Sequence, residues 1–210
     1  MQDDRGLKRL LSVSWIYELF QNLVGAGKAR RWLAHNCWQL RGGEKVVDVG
    51  CGTGIVRRYL PADIEYAGFD VSEKYIARAR QTFAQNGTFL VGTAGDFLPD
   101  PDPRLCGADL VMCMGLLHHL NDEETLQVLQ LADKILRPGG RLVCWEPAFL
   151  LHQDPISRWL MGRDRGRNVR TEREWKTIAA KVFTNVSTSI VTALLRVPYV
   201  HIVIECRKEA

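Results

Sequence analysis

Lys45-Val46-Val47-Asp48-Val49-Gly50-Cys51-Gly52-Thr53-Gly54 is the stretch that decides how this chain folds. Its first five residues are a short run rich in β-branched valine between Gly42-Gly43 and a further glycine, the pattern of a buried strand. The glycines that follow permit positive φ angles and let backbone and ligand approach closely. A loop of this kind, placed between a strand and a helix, crosses the carboxyl edge of a parallel sheet, where open α/β folds bind ligands. Its glycines are spaced two apart, and Ile55 stands where a dinucleotide fingerprint needs its third glycine. That spacing speaks against the rival reading, a nicotinamide-dependent oxidoreductase.

Outward from this loop, strands and helices alternate. Further strands are expected over residues 65–69, 88–91, 109–113 and 141–145, with helices over 55–60, 72–84 and 122–136. Asn121 precedes an acid-rich first turn, Thr171-Glu172-Arg173-Glu174 has capping-box spacing, and Pro138-Gly139-Gly140 stops the helix that ends near Leu136. After Pro147 the pattern predicts an arginine-rich loop, one more helix to about Phe183, and β-rich runs over 186–195 and 199–205 that pair antiparallel. Upstream, Leu11, Trp15, Ile16, Leu19, Phe20 and Leu23 recur at helical spacing, and a second helix around Ala29, Trp32 and Leu33 follows Gly25-Ala26-Gly27.

With 210 residues, 46% of them hydrophobic and 25% charged, the chain suits one globular domain. A net charge of +4 is compatible with an anionic substrate and well short of a dedicated nucleic-acid binder, so DNA is not expected. The six cysteines form no Cys-x-x-Cys pair, which suits a reducing, cytoplasmic setting. The start lacks the order of a secretory signal, and no run of about 18 apolar residues predicts a transmembrane segment.

Asp70 follows the glycine loop at about the interval at which a carboxylate reaches a ribose hydroxyl pair, indicating an adenosine-type ligand. Asp96, in Gly95-Asp96-Phe97, is a candidate acceptor for an adenine amino group, with Phe97 or Val71 covering the base. Taken in order, 48–54, Asp70-Val71-Ser72, Gly95-Asp96-Phe97, 109–119 and Leu136-Arg137-Pro138-Gly139-Gly140 resemble the successive motifs of class I S-adenosylmethionine-dependent methyltransferases, closely over 44–146.

The resemblance implies a doubly wound, Rossmann-like α/β sheet of seven strands in the order 3-2-1-4-5-7-6, strand 7 antiparallel, with helices on both faces. Residues 1–43 would be N-terminal helices capping a domain over 44–210, whose substrate lid is the loop at about 147–172. It implies that Asp48, Gly50, Cys51, Gly52 and Gly54 line the methionine part of S-adenosylmethionine, that Asp70, Val71 and Ser72 hold the ribose side, and that Asp96 and Phe97 hold the adenine. Cys113 and Met114 would lie beside the sulfonium, and Tyr17 and Gln21, from the first helix, over the methionine end. The product would be S-adenosylhomocysteine.

Methyl transfer from a sulfonium is an in-line displacement that needs alignment and exclusion of water, and neither a protein nucleophile nor a metal. His118 and His119 open the helix after the fourth strand, and either is a candidate general base; adjacent on a helix they point about 100° apart and make no zinc pair. Cys113-Met114-Gly115-Leu116 stands where methyltransferases of exocyclic amines carry Asn/Asp-Pro-Pro-Tyr, which leaves the broad small-molecule branch. The loop carries Arg158, Arg163, Arg165, Arg167, Arg170 and Arg173, from which Arg165 and Arg170 are candidates to grip an anionic acceptor. Trp145, Glu146, Pro147, Trp159, Tyr199 and His201 are candidates for a pocket wall beside it, Trp145 and Tyr199 foremost. Two other readings stay open, an RNA methyltransferase and a non-catalytic cofactor-binding partner. The loop itself also reads as a solvated basic segment or one that touches an acidic membrane surface.

Overall fold

The computed structural model describes residues 26–162, 166–192, 194–195 and 197–209. Helix α1 (Ala26–Leu33) runs into a π-helical turn, Ala34–Trp38, that leads to β1 (Lys45–Val49). The chain then alternates through β2 (Glu65–Asp70), α2 (Glu73–Phe83), β3 (Thr88–Val91), the short α3 (Ala94–Phe97), β4 (Ala108–Met114), α4 (Asp122–Ile135) and β5 (Leu136–Phe149). It finishes with α5 (Pro155–Met161), the two-residue β6 (Arg170–Thr171), α6 (Glu172–Ala179), β7 (Asn185–Val191) and β8 (His201–Arg207).

The sheet order is β3-β2-β1-β4-β5-β8-β7, with β6 alongside the far end of β5. Apart from that extra strand this is the expected order, β7 and β8 standing for the sixth and seventh strands. β8 alone runs antiparallel, to β5 on one side and β7 on the other. Strand order reverses between β1 and β4, the switch point at which α/β sheets open a crevice at their carboxyl edge. Two apolar layers sandwich the sheet. On one face α1 and α2 pack Leu33, Ile76 and Phe83 onto Val46, Met112 and Val143; on the other, α4 and α6 pack Val128, Ile135 and Trp175 onto Val47, Val111 and Cys144. Among the described residues no helix is long and apolar enough to cross a membrane.

Local signals account for most boundaries. Asn121 and Thr171 close capping boxes with Glu124 and Glu174, and Ser72 caps α2 by accepting from the Tyr75 N–H. Several boundaries differ from expectation. Residues 55–59 form a 3₁₀ turn in place of the α-helix expected over 55–60, and Ala26 and Gly27, expected in the glycine break, are helical. β5 begins directly after α4, because Gly139, at φ 72°, lets Pro138-Gly139-Gly140 form an irregularity within the strand pairing between Ala108 and Leu110. The expected loop over 147–172 contains α5, whose start is set by Asp154 accepting from the N–H groups of Ile156 and Ser157, with Pro155 in the first turn.

Arg57, buried in the middle of the 3₁₀ turn, fixes the return from the glycine loop to β2. It donates to four carbonyls: Asn86 from Nε (2.8 Å), Leu60 (3.4 Å) and Pro61 (2.9 Å) from Nη1, and Ala62 from Nη2 (2.7 Å). Arg57→Ala strands those acceptors and should cost about 2–4 kcal/mol in urea unfolding; a loss within error of zero contradicts the bracing role.

Candidate active site

β1 delivers the glycine loop to the switch point. Gly50, Gly52 and Gly54 all have positive φ (70°, 54° and 73°), which L side chains rarely adopt. A side chain at Gly50 would strike Leu116 and one at Gly54 would strike Phe89, whereas a Cβ on Gly52 would meet nothing within 4 Å. Gly52 is thus the glycine that opens onto space, as a loop receiving a ligand requires. The Phe69 carbonyl holds the loop by accepting from the N–H groups of Gly50 (2.9 Å) and Cys51 (3.0 Å). Asp70 locks the next turn, with Oδ2 accepting from Gly52 N–H (3.0 Å) and Oδ1 from Ser72 N–H (2.8 Å). Beside it the Val71 side chain is 69% exposed, an apolar surface left open to solvent by the fold.

Asp48 is buried beneath the loop and accepts a 2.7 Å hydrogen bond from the Tyr66 hydroxyl. Burial lifts its carboxyl to about 7, against the lowering effect of Tyr66, with the charge of Asp70 adding to the rise and that of Arg30 opposing it. Asp96 stands at the end of α3, where Oδ2 accepts from both the N–H and the hydroxyl of Thr93, and these bonds hold its pKa below the ordinary carboxylate value. Phe97 packs edge-on against Phe69 at 5.0 Å. Gly52, Asp70, Val71, Asp96 and Phe97 therefore all follow the carboxyl ends of β1, β2 and β3, three adjacent parallel strands.

Strand alternation separates the residues that end β4. Cys113 points into the α4/α6 layer and is fully buried, while Met114 and its register partner Trp145 belong to the opposite layer and are partly exposed. Trp145 stacks on His201 (4.2 Å, 21°), which in turn lies 5.1 Å from Tyr199, so three of the six residues expected to line a pocket form one cluster, while Trp159 is exposed and Glu146 is buried on the other face. The Trp145 indole nitrogen is buried without a hydrogen-bond partner among the described residues.

On the other face lies a carboxylate whose role the sequence conceals. Glu146, with no solvent exposure, accepts from the backbone N–H groups of Leu116 and Leu117 (both 2.9 Å to Oε1) and of His118 (3.3 Å to Oε2). Its Oε2 also lies 2.7 Å from His118 Nδ1. Glu146 thereby caps the 3₁₀ turn Leu117–His119 and fixes the imidazole plane. His118 is buried and His119 exposed, their rings 4.0 Å apart. Gly166 sits directly against His118: a Cβ there would fall 1.9 Å from His118 Cδ2, so only glycine fits.

Arg170 is placed otherwise than expected. Its five N–H donors reach Asp122 (3.2 Å from Nε, 2.6 Å from Nη2) and the carbonyls of Leu117 (3.4 Å), Asn168 (3.1 Å) and Leu120 (3.2 Å). The guanidinium also lies over Trp175, 4.6 Å from the ring centre. This fork is engaged with the His118 turn, which it braces from below, rather than facing an acceptor as expected. Arg165, Tyr17 and Gln21 lie outside the described residues.

The donor set fits S-adenosylmethionine: an open glycine backbone for the amino acid end, a carboxylate beside an exposed valine for the ribose and base, and a partly exposed Met114 at the end of β4, on the other side of β1. Residues 46–140 match the family model described as a methyltransferase domain. Over those residues the chain carries a methyltransferase domain of this family. It is 35% identical to 27-O-demethylrifamycin SV methyltransferase of Amycolatopsis mediterranei (strain S699), over 55% of this chain and 42% of that protein. It is 30% identical to a ubiquinone biosynthesis O-methyltransferase of Vibrio cholerae, over 48% of this chain and 40% of the relative. The chain thus spans about two fifths of the length of these curated relatives. The fold is that of the S-adenosylmethionine-dependent methyltransferase SibL, with a TM-score of 0.74 and 18% identity over 98% of this chain and 60% of SibL.

The proton on Asp48 gives the methyltransferase domain a testable pH dependence. The folded state holds this proton more tightly than the unfolded chain, where the carboxyl titrates near 3.8. The associated stability is complete below that value and is lost as pH rises to about 7. Asp48→Asn, which cannot ionise, should therefore gain on the wild type by roughly 2–4 kcal/mol between acid and mildly alkaline buffer. Urea melts of both proteins across that range check this, and a difference that does not vary with pH refutes it.

Proposed function

We propose that this chain transfers the methyl group of S-adenosylmethionine to a small-molecule acceptor. The observation that carries the reading is the pairing, at one switch point, of the open Gly52 turn with the Asp70 carboxylate that already bonds to it. The bound sulfonium supplies the reactivity for an in-line displacement; the chain supplies alignment and a dry edge. Gly50, Cys51, Gly52 and Gly54, over Asp48, form the cradle for the amino acid end. Asp70, Val71 and Ser72 take the ribose side, Asp96 and Phe97 the adenine, and Met114 the neighbourhood of the reacting carbon. Cys113, buried in the layer below, supports that strand end rather than touching the ligand.

For an acceptor that must lose a proton, His118 is the base the geometry favours over the exposed His119. Glu146 accepts from three backbone N–H groups, and in the same way would accept a proton carried by His118 Nδ1, a tautomer that leaves the lone pair on Nε2, at the far end of the ring. Glu146 is accordingly a positioning residue. Relatives named as O-methyltransferases of rifamycin and ubiquinone biosynthesis support a small acceptor, and Trp145, Tyr199 and His201 offer it an aromatic wall. Of the two arginines proposed for an anionic group, Arg165 stays a candidate.

Titration calorimetry with S-adenosylhomocysteine tests the cofactor assignment: the wild type should bind, and Asp70→Ala should weaken binding by about tenfold or more, some 1.4 kcal/mol. Absence of binding to folded protein overturns the reading. The positioning role has its own readout. In long-range proton–nitrogen spectra of the neutral ring, His118 should carry its proton on Nδ1, and Glu146→Gln should shift it towards Nε2; an unchanged ring spectrum removes Glu146 from the mechanism.

A further inference from the structure

Between Phe149, at the end of β5, and the start of α6, the chain makes an excursion whose neck is closed by strand pairing: Ala148 lies beside Arg170 and Phe149 beside Thr171. The excursion displays apolar side chains to solvent. Leu151 is 92% exposed, Ile156 63% and Trp159 55%, and these are three of the five large hydrophobic side chains found exposed among the described residues. The spacing explains the pattern. Ile156 and Trp159 are three apart on α5 and share a face, while Ser157 and Met161 turn the opposite face inward. Leu151 precedes them in the turn that leaves β5.

The same segment is basic. Residues 150–173 hold six arginines against three carboxylates, so they carry three of the four net positive charges of the whole chain. Among them Arg158, Arg167 and Arg173 are exposed, and Arg158 flattens over Phe149 at 5.5 Å, beside the neck. Exposed leucine, isoleucine and tryptophan in a segment rich in arginine is the composition of a surface that enters the boundary between lipid headgroups and acyl chains, the tryptophan lying at the interface and the arginines meeting anionic headgroups. An RNA partner would use the arginines and the indole but leave Leu151 and Ile156 in water.

We propose that Leu151, Ile156 and Trp159, with Arg158, Arg167 and Arg173, form a docking surface for an anionic lipid membrane. Apart from Arg173, which follows the neck in the first turn of α6, the surface lies on the excursion that also brings Gly166 onto His118 and Asn168 N–H onto the His118 carbonyl (3.0 Å). Docking would therefore hold this side of the candidate active site against lipid, in reach of an acceptor dissolved there. The docking surface does not rest on the methyl-transfer reading.

The full chain, without cofactor or acceptor, is mixed with vesicles of phosphatidylglycerol in phosphatidylcholine and with vesicles of phosphatidylcholine alone. It should sediment with the anionic vesicles and less with the neutral ones, and added salt should release it. Ile156→Asp with Trp159→Asp, checked for fold by circular dichroism, should weaken sedimentation by about tenfold or more. Arg167→Glu with Arg173→Glu, which leaves the apolar patch in place, should abolish the preference for anionic vesicles. No sedimentation, or sedimentation that both double variants leave unchanged, overturns the proposal. So does a dimer that Ile156→Asp with Trp159→Asp disperses in the absence of lipid, which gives the patch to a second copy, or salt-sensitive RNA retention without vesicle binding, which gives the arginines to RNA. S-adenosylhomocysteine binding is measured separately, so failure of either reading leaves the other standing.

Discussion

A carboxylate shut away from water ties the end of one strand to the turn after its neighbour. Removing a carboxyl group from solvent is costly, and the three N–H groups and the His118 ring gathered on Glu146 offset that cost. Three of those four bonds go to consecutive backbone N–H groups, so they also satisfy the open start of the 3₁₀ turn. The fourth goes to the His118 ring. One side chain therefore sets both the path of the chain leaving β4 and the orientation of the buried histidine beside it. Arg170 closes the arrangement from the other side, holding the carbonyls of Leu117 and Leu120 and the Asp122 carboxylate at the start of α4.

At the neighbouring strand ends the same logic appears in backbone form. The glycine loop keeps its shape because the Phe69 carbonyl and the Asp70 carboxylate collect its N–H groups, and because Leu116 and Phe89 fill the space that side chains at Gly50 and Gly54 would need. Leu116 belongs to the turn that Glu146 caps. The cofactor loop and the histidine turn are thus packed against each other through one leucine. A disturbance of the Glu146 network is expected to reach the loop through that contact, with no change in the loop's own sequence.

What can be read from sequence is what depends on neighbours in sequence. β3 falls at 88–91 as expected, the caps at Asn121 and Thr171 form, and the glycine loop ends β1, because periodicity, capping chemistry and glycine punctuation are all local. The missed features are non-local or hidden by composition. Glu146 and His118 are 28 residues apart and Arg170 and Asp122 48 apart, separations across which a sequence offers no register. A glutamate after the apolar run Leu142-Val143-Cys144-Trp145 is the one available hint, since a charge ending a buried strand needs partners. α5 is hidden because its apolar face is the exposed one, so its pattern resembles neither a core helix nor a polar loop.

The two faces of β4 and β5 divide the labour of the edge. Alternation sends Met114 and Trp145 to one side, where His201 and Tyr199 extend an aromatic surface, and Cys113 and Glu146 to the other, where His118 is held. Under the proposed reading, acceptor shape is governed by the first side and proton removal by the second, and the two meet at Gly115, whose positive φ of 69° and bond to the Trp145 carbonyl turn the chain from one to the other. Substitutions in the aromatic wall can then alter which molecule is accepted without disturbing the histidine. That separation suits a fold whose members share a cofactor edge and differ in what they bring to it.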